Sequence, residues 1–238
     1  MRRLALSALA LGLSLSACAN EEEVVPAEQD EAADAAAAPA GVPVNAEDFA
    51  REQLGARIQG PAGPEVEGSL ATADGTALGD IESYVACPSN IDSCDPASLP
   101  DGTVYTFVHI VTPGVDKPND DAMAQPETVK RVEKSVTFRM TMPADGFAGQ
   151  AGYSLEQARA ALGPDGTFTI SCQGGMLIWE VATGETWGTG EPVTFFWKST
   201  KPPKGPAKAY GFEADGYSAT GAGPFPAAAA DGAKAGCD

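Results

Sequence analysis

The chain has 238 residues and a formal charge of −18, with 33 Asp and Glu against 15 Lys and Arg. So acidic a surface repels nucleic acid and anionic headgroups, which argues against a nucleic-acid partner. The length suits one domain, and the composition, 43% hydrophobic, is ample for a substantial core.

Met1-Arg2-Arg3 is a short basic start, followed by an apolar run from Leu4 to Leu15 and the small residues Ser16 and Ala17 ahead of Cys18. The run has the length of a signal-peptide core and falls short of the roughly 20 residues of a membrane-spanning helix. Leu15-Ser16-Ala17-Cys18 resembles the lipobox of bacterial lipoproteins, a resemblance confined to residues 1–18. It implies removal of 1–17 as a signal peptide, diacylation of Cys18 through a thioether, and an acylated new N-terminus carrying chains such as palmitate. Several chains hold a membrane far more firmly than the marginal single one. Ala19 stands where an Asp commonly marks inner-membrane retention, so the resemblance implies an outer-membrane lipoprotein facing the periplasm. No later stretch is long and apolar enough to span a bilayer as a helix.

Residues 18–44 read as a lipidated N-terminus and an acidic tether. Glu21, Glu22, Glu23, Glu28, Asp30, Glu31 and Asp34 stand among Ala, Pro and Val with no aromatic residue. Like charges repel and little apolar surface is available for burial, which predicts disorder. A single globular domain is expected over 45–238.

Asn45 is placed to cap a helix with Glu47 and Asp48 in its first turn and Phe49 and Leu54 on its apolar face. Gly- and Pro-rich loops follow, with short strands at Val66–Ala71 and Ile81–Val85. The run Val104–Thr112 is almost wholly β-branched or aromatic, as a strand buried on both faces should be. Asp116 to Glu127 is a polar loop, and Ser135–Met142 alternates as a strand. Ser154-Leu-Glu-Gln157 has the capping-box form, so a helix runs to Leu162 and stops at Gly163-Pro164. Gln173-Gly174-Gly175 joins strands Thr167–Cys172 and Met176–Ala182 as a hairpin. Val193–Ser199 is a further strand, Pro202 to Pro206 a rigid exposed link, and Ala209–Glu213 the final strand. About seven strands with one or two short helices predict a mainly β fold, a β-sandwich or partly open barrel.

Beyond Cys18, four cysteines in an exported chain read as two disulfides. Four allow three pairings. The short loop favours Cys87–Cys94, which leaves Cys172–Cys237 to pin the C-terminus. With one histidine and no Cys-x-x-Cys, no metal site and no cofactor are expected.

His109 falls mid-strand with Tyr105 and Phe107, without a nucleophile elbow, and reads as a histidine packed among rings rather than a catalyst. Asp116, Asn119, Asp120 and Asp121 lack the spacing of a calcium loop. Glu180, Glu185 and Glu191 lie near Trp179 and Trp187, the elements of a carboxylate-dependent glycan hydrolase. Of the three tryptophans, Trp197 alternates with core positions, while Trp187 sits in a Gly/Thr turn and is the candidate ligand contact. Basic residues gather in 117–139 (Lys117, Lys130, Arg131, Lys134, Arg139) and 198–208 (Lys198, Lys201, Lys204, Lys208). As neighbours these segments would make a basic patch, and otherwise they protect strand edges. The expectation is a non-enzymatic binding or assembly module of the bacterial envelope, with a glycan or an envelope protein as partner. The alternative is a carbohydrate- or peptidoglycan-binding domain or a glycan hydrolase.

Overall fold

The computed structural model describes residues 41–59, 66–117, 128–229 and 236–237. The chain divides into two units, Met1–Ala38 and Pro39–Asp238, and the described residues all belong to the second. Cys18 and the lipobox lie outside them, as do the tether up to residue 40 and Asn119, Asp120 and Asp121.

The fold is mainly β, a nearly closed barrel made from one sheet. Its strands are β1 (Val42–Val44), β2 (Ala46–Asp48), β3 (Leu54–Arg57), β4 (Val66–Ala71), β5 (Thr76–Pro88), β6 (Tyr105–Pro113) and β7 (Thr128–Val129). They continue as β8 (Ser135–Met140), β9 (Phe147–Tyr153), β10 (Thr167–Gln173), β11 (Met176–Thr183), β12 (Val193–Ser199), β13 (Pro203–Ala214) and β14 (Tyr217–Pro226). The one α-helix among the described residues, α1 (Leu155–Leu162), joins β9 to β10.

The order around the sheet is β1-β10-β11-β8-β13-β14-β4-β5-β6-β12-β9-β2, with β3 and β7 appended to β5. The two ends of that order are consecutive in the chain and separated only by Asn45. Between them stand two five-stranded halves, β10-β11-β8-β13-β14 and β4-β5-β6-β12-β9. The halves are joined on one side where Thr220 pairs with Ala71. On the other side, β1 runs antiparallel to β10 and β2 parallel to β9.

Aromatic side chains fill the space between the halves. Phe195 of β12 stacks on Phe138 of β8, with centroids 4.9 Å apart, and meets Phe168 of β10 edge-on at 5.2 Å. His109 of β6 lies 4.0 Å from the Tyr210 ring of β13. Large rings bury the most area per residue and gain further from offset and edge-on geometry, so this interior holds the halves together.

The clearest sequence patterns gave their elements almost residue for residue. Val193–Ser199 is β12, Val66–Ala71 is β4, and α1 is capped by Ser154, whose hydroxyl accepts from Gln157 N at 3.3 Å. Other expectations are corrected. Among the described residues there are fourteen strands rather than about seven. The N-terminal helix capped by Asn45 is instead β2 and a single 3-10 turn, Phe49–Arg51, whose cap is Asp48. Strand pairing to β9 takes Ala46–Asp48 before a helix can begin. Val42–Val44, assigned to the tether, is already strand. The link at Pro202–Pro206 is largely the start of the twelve-residue β13, and the chain returns as β14 through an Asp215-Gly216 turn with both residues at positive φ.

Candidate ligand-binding cleft

Two layers lie on the outer face of the β9-β12-β6-β5 quarter. Register aligns Gly152, Phe196, Val108 and Tyr84 in one row across four strands. This row is apolar and covered: Phe49 leans on Phe196 at 5.7 Å, Leu54 packs beside it, and the Arg57 guanidinium stands 3.7 Å over the Tyr84 ring. The covering residues belong to the N-terminal arm that follows β2.

One step toward the Cys87–Cys94 end, the same face turns polar. Lys198 pairs with Thr106, which pairs with Ala86, and Gln150 of β9 lies alongside. Lys198, Thr106 and Gln150 floor an open cleft of about 260 Å³, bordered by Glu52 and Gln53 of the arm and by Ser89. Pro88 and Val104 supply apolar walls. The Glu52 carboxylate accepts from Lys198 Nζ at 2.8 Å, and the two side chains are only 8% and 16% exposed. The Gln150 amide donates to both Glu47 oxygens, at 3.3 and 3.4 Å, which holds it against β2. Two of these contacts are held in place, Lys198 by Glu52 and Gln150 by Glu47.

A second hollow of about 360 Å³ lies at the same end, lined by Leu99, Asp101, Thr103, Tyr105, Lys201 and Pro202 among others. Burial raises the Tyr105 pKa, and Asp95 adds to the effect, so the phenol stays protonated at neutral pH.

Cys87 is bonded to Cys94 and Cys172 to Cys237. Trp187, expected at an exposed turn as a ligand contact, is fully buried and donates its indole N–H to Glu191 O at 2.6 Å. The turn folds inward because its ring fills a gap beside Phe168, Phe195 and Phe212. Trp179 and Trp197 are equally buried, so no tryptophan offers a face to a sugar. The exposed aromatic ring among the described residues is Tyr217, with Lys130 Nζ 4.0 Å above it.

His109 is enclosed, its Nδ1 2.9 Å from Ser83 Oγ. Desolvation drives its pKa down to about 3. A serine and a histidine at this distance resemble part of a hydrolytic triad, but burial bars any substrate from reaching them. Asp116 accepts from Ser69 Oγ at 3.0 Å, and no group of three His, Cys, Asp or Glu among the described residues is arranged to hold a metal.

The basic segments come together only in part: β8, which carries Arg139, pairs with β13, where Lys208 O accepts from Thr141 Oγ1. Lys134 O accepts from Asp215 N at one end of β13, while Lys204 starts its other end, roughly 30 Å of strand away. Several of these cations are also engaged locally. Lys117 meets Asp80 at 3.5 Å and also Glu82, Arg139 meets Glu213 at 3.4 Å, and Lys198 meets Glu52. Burial opposes the charge of Lys117, but Glu82 and Asp80 outweigh it and raise its pKa.

Sequence reasoning missed Glu52, Gln53, Ser89, Thr106 and Gln150. Alternation along β6 and β12 does place Thr106 with Val108 and Phe196 with Lys198 on one face, a face half apolar and half polar. Nothing local in the sequence says that Glu52 folds back across it. No family model, curated protein or solved structure matches the chain.

Proposed function

We propose that this chain is a lipid-anchored envelope protein whose stapled β-domain acts as a non-enzymatic binding module. The anchor is Cys18, on the strength of the lipobox resemblance. Two disulfides suit an oxidising compartment, and the outer membrane facing the periplasm is the address that Ala19 favours. The observation that carries the binding role is the cleft, where polar side chains from separate segments of the chain converge between two apolar walls, and convergent polar groups in a concavity are what orient a ligand. Its described lining contributes one carboxylate, Glu52, already paired with Lys198. Glycan hydrolysis needs two carboxyl groups flanking the scissile bond, so binding is the better-supported role.

Two experiments test the parts separately. Labelled palmitate should enter the wild type and not Cys18→Ser, and equal incorporation in both removes the anchor. Cross-linking in intact envelopes, with purified glycan strands as competitor, should give an adduct that Gln53→Ala weakens. If no adduct forms and no glycan competes, the binding module is wrong.

A further inference from the structure

We infer that the cleft over Thr106 takes one ring of an uncharged saccharide rather than an ionised ligand. This rests on the binding role proposed above and names the ligand class of that site.

The chemistry of the lining decides between neutral and charged. Glu52 and Lys198 neutralise each other at 2.8 Å and are nearly out of water. An ionised ligand binds here only by taking one partner from the other, which leaves the second charge unpaired in a desolvated place, a costly outcome. A neutral polyol asks for no such exchange. Each sugar hydroxyl both donates and accepts, and the cleft offers both roles side by side: Gln53 and Gln150 amides, Ser89 and Thr106 hydroxyls, the Glu52 oxygens and the Lys198 ammonium.

Size and shape agree. About 260 Å³ lies just below the usual range for drug-sized ligands, which suits a single pyranose ring. The cleft is open rather than enclosed, so neighbouring rings of an oligosaccharide can run out of it. Pro88 and Val104 present carbon to the C–H edges of the ring while the polar floor meets its hydroxyls.

The test is calorimetric titration of the full-length chain in detergent micelles with fully N-acetylated chitotetraose (chitotetraose below), a neutral oligosaccharide, and with tetragalacturonate, an anionic one. Chitotetraose is expected to bind saturably, at millimolar affinity or tighter, and tetragalacturonate at least tenfold more weakly. Thr106→Val, which keeps a β-branched side chain at a strand position, should weaken chitotetraose at least fivefold. Gln53→Ala, on the exposed arm, should do the same and guards against a folding defect in the first variant. Tyr217→Ser, remote from the cleft, should bind as the wild type does. Absence of saturable chitotetraose binding, equal or tighter binding of tetragalacturonate, or unchanged affinity in both cleft variants overturns the inference. If chitotetraose fails while the Gln53-dependent cross-link in envelopes persists, the saccharide assignment falls and the binding module stands. If both fail, the module falls with it.

Discussion

Val44 pairs with Ile170 of β10, and Ala46, two residues later, pairs with Ala151 of β9. Neighbours in sequence thus belong to opposite edges of the sheet, and the segment 42–48 fills the gap between them. Edge strands left open are ready templates for association with other chains, and this short segment covers part of both. Gly152 permits the approach: a Cβ there would stand 2.0 Å from Glu47 O and 2.5 Å from the Phe196 ring.

Asp48 fastens the end of this seam. Its Oδ1 accepts from Ala50 N at 3.2 Å and from Leu155 N at 3.3 Å, tying the arm to the start of α1. Loss of a capping carboxylate costs about 1 kcal/mol. Asp48→Ala should lower the unfolding free energy by about that much or slightly more, read from urea denaturation. An unchanged midpoint would show that the carboxylate does not hold the arm.

Stability should fall in mild acid because of His109. The folded protein keeps it neutral down to about pH 3, whereas the unfolded chain takes up the proton near the ordinary 6.5. Between those values the unfolded state binds more protons, so stability is retained above pH 6.5 and lost as pH falls, at about 1.4 kcal/mol per unit. From pH 6.5 to 4.5 the loss is about 2 kcal/mol, because the slope is only half developed at pH 6.5 itself. His109→Leu should flatten this limb even though it costs baseline stability by stranding Ser83 Oγ. Denaturant midpoints at a series of pH values decide the matter, and parallel limbs for wild type and variant would contradict it.

What was readable in the sequence was whatever one local signal determined. Val104–Thr112 and Val193–Ser199 are β-rich throughout, and Ser154 with Gln157 marks a helix start without help from the rest of the fold. β9 and β14 escaped because Phe-Ala-Gly-Gln-Ala-Gly-Tyr and the Gly- and Pro-rich run 217–226 have poor strand propensity. Their glycines answer to distant partners: a Cβ at Gly223 would stand 2.6 Å from the Tyr210 ring. Such a strand is selected by what it must pack beneath, which the local sequence does not contain. The cleft was hidden for the same reason, since its lining residues are spread from Glu52 to Lys198. Trp187 misled because a Gly/Thr-rich turn looks exposed whether or not its ring folds inward.

Trp187→Ala should therefore act on stability. Removing a fully buried indole costs about 3–5 kcal/mol through lost transfer energy and the cavity left behind. Thermal unfolding gives the magnitude. A loss below about 1 kcal/mol would mean the ring is not part of the core.

The two disulfides should contribute unequally. Cys172–Cys237 spans 65 residues and Cys87–Cys94 spans 7. The chain-entropy relation gives about 4 kcal/mol for the first and about 2.5 kcal/mol for the second. Paired Cys→Ser variants should lose stability in that order. The C-terminal end has further ties, since the Asp145 carboxylate accepts from Ala229 N at 3.1 Å and from Gly236 N at 2.9 Å. Losing Cys172–Cys237 should therefore leave some protection from carboxypeptidase, which Asp145→Ala removes. If the short-loop variant proves the weaker of the two, loop entropy is not what sets their contributions.

The seam also has a mechanical meaning. β1 begins at Val42 and lies along β10, so tension applied at its N-terminal end along the strand axis loads the Val42–Val44 hydrogen bonds together, in shear, instead of unzipping them singly. A pull on the chain ahead of Val42, as the proposed lipid anchor would exert, would enter the barrel at the place where its two edges meet. The first element to yield would be the one that closes the wall, while the arm that borders the cleft would still be held by Asp48, the Phe49–Phe196 contact and the Glu52–Lys198 pair.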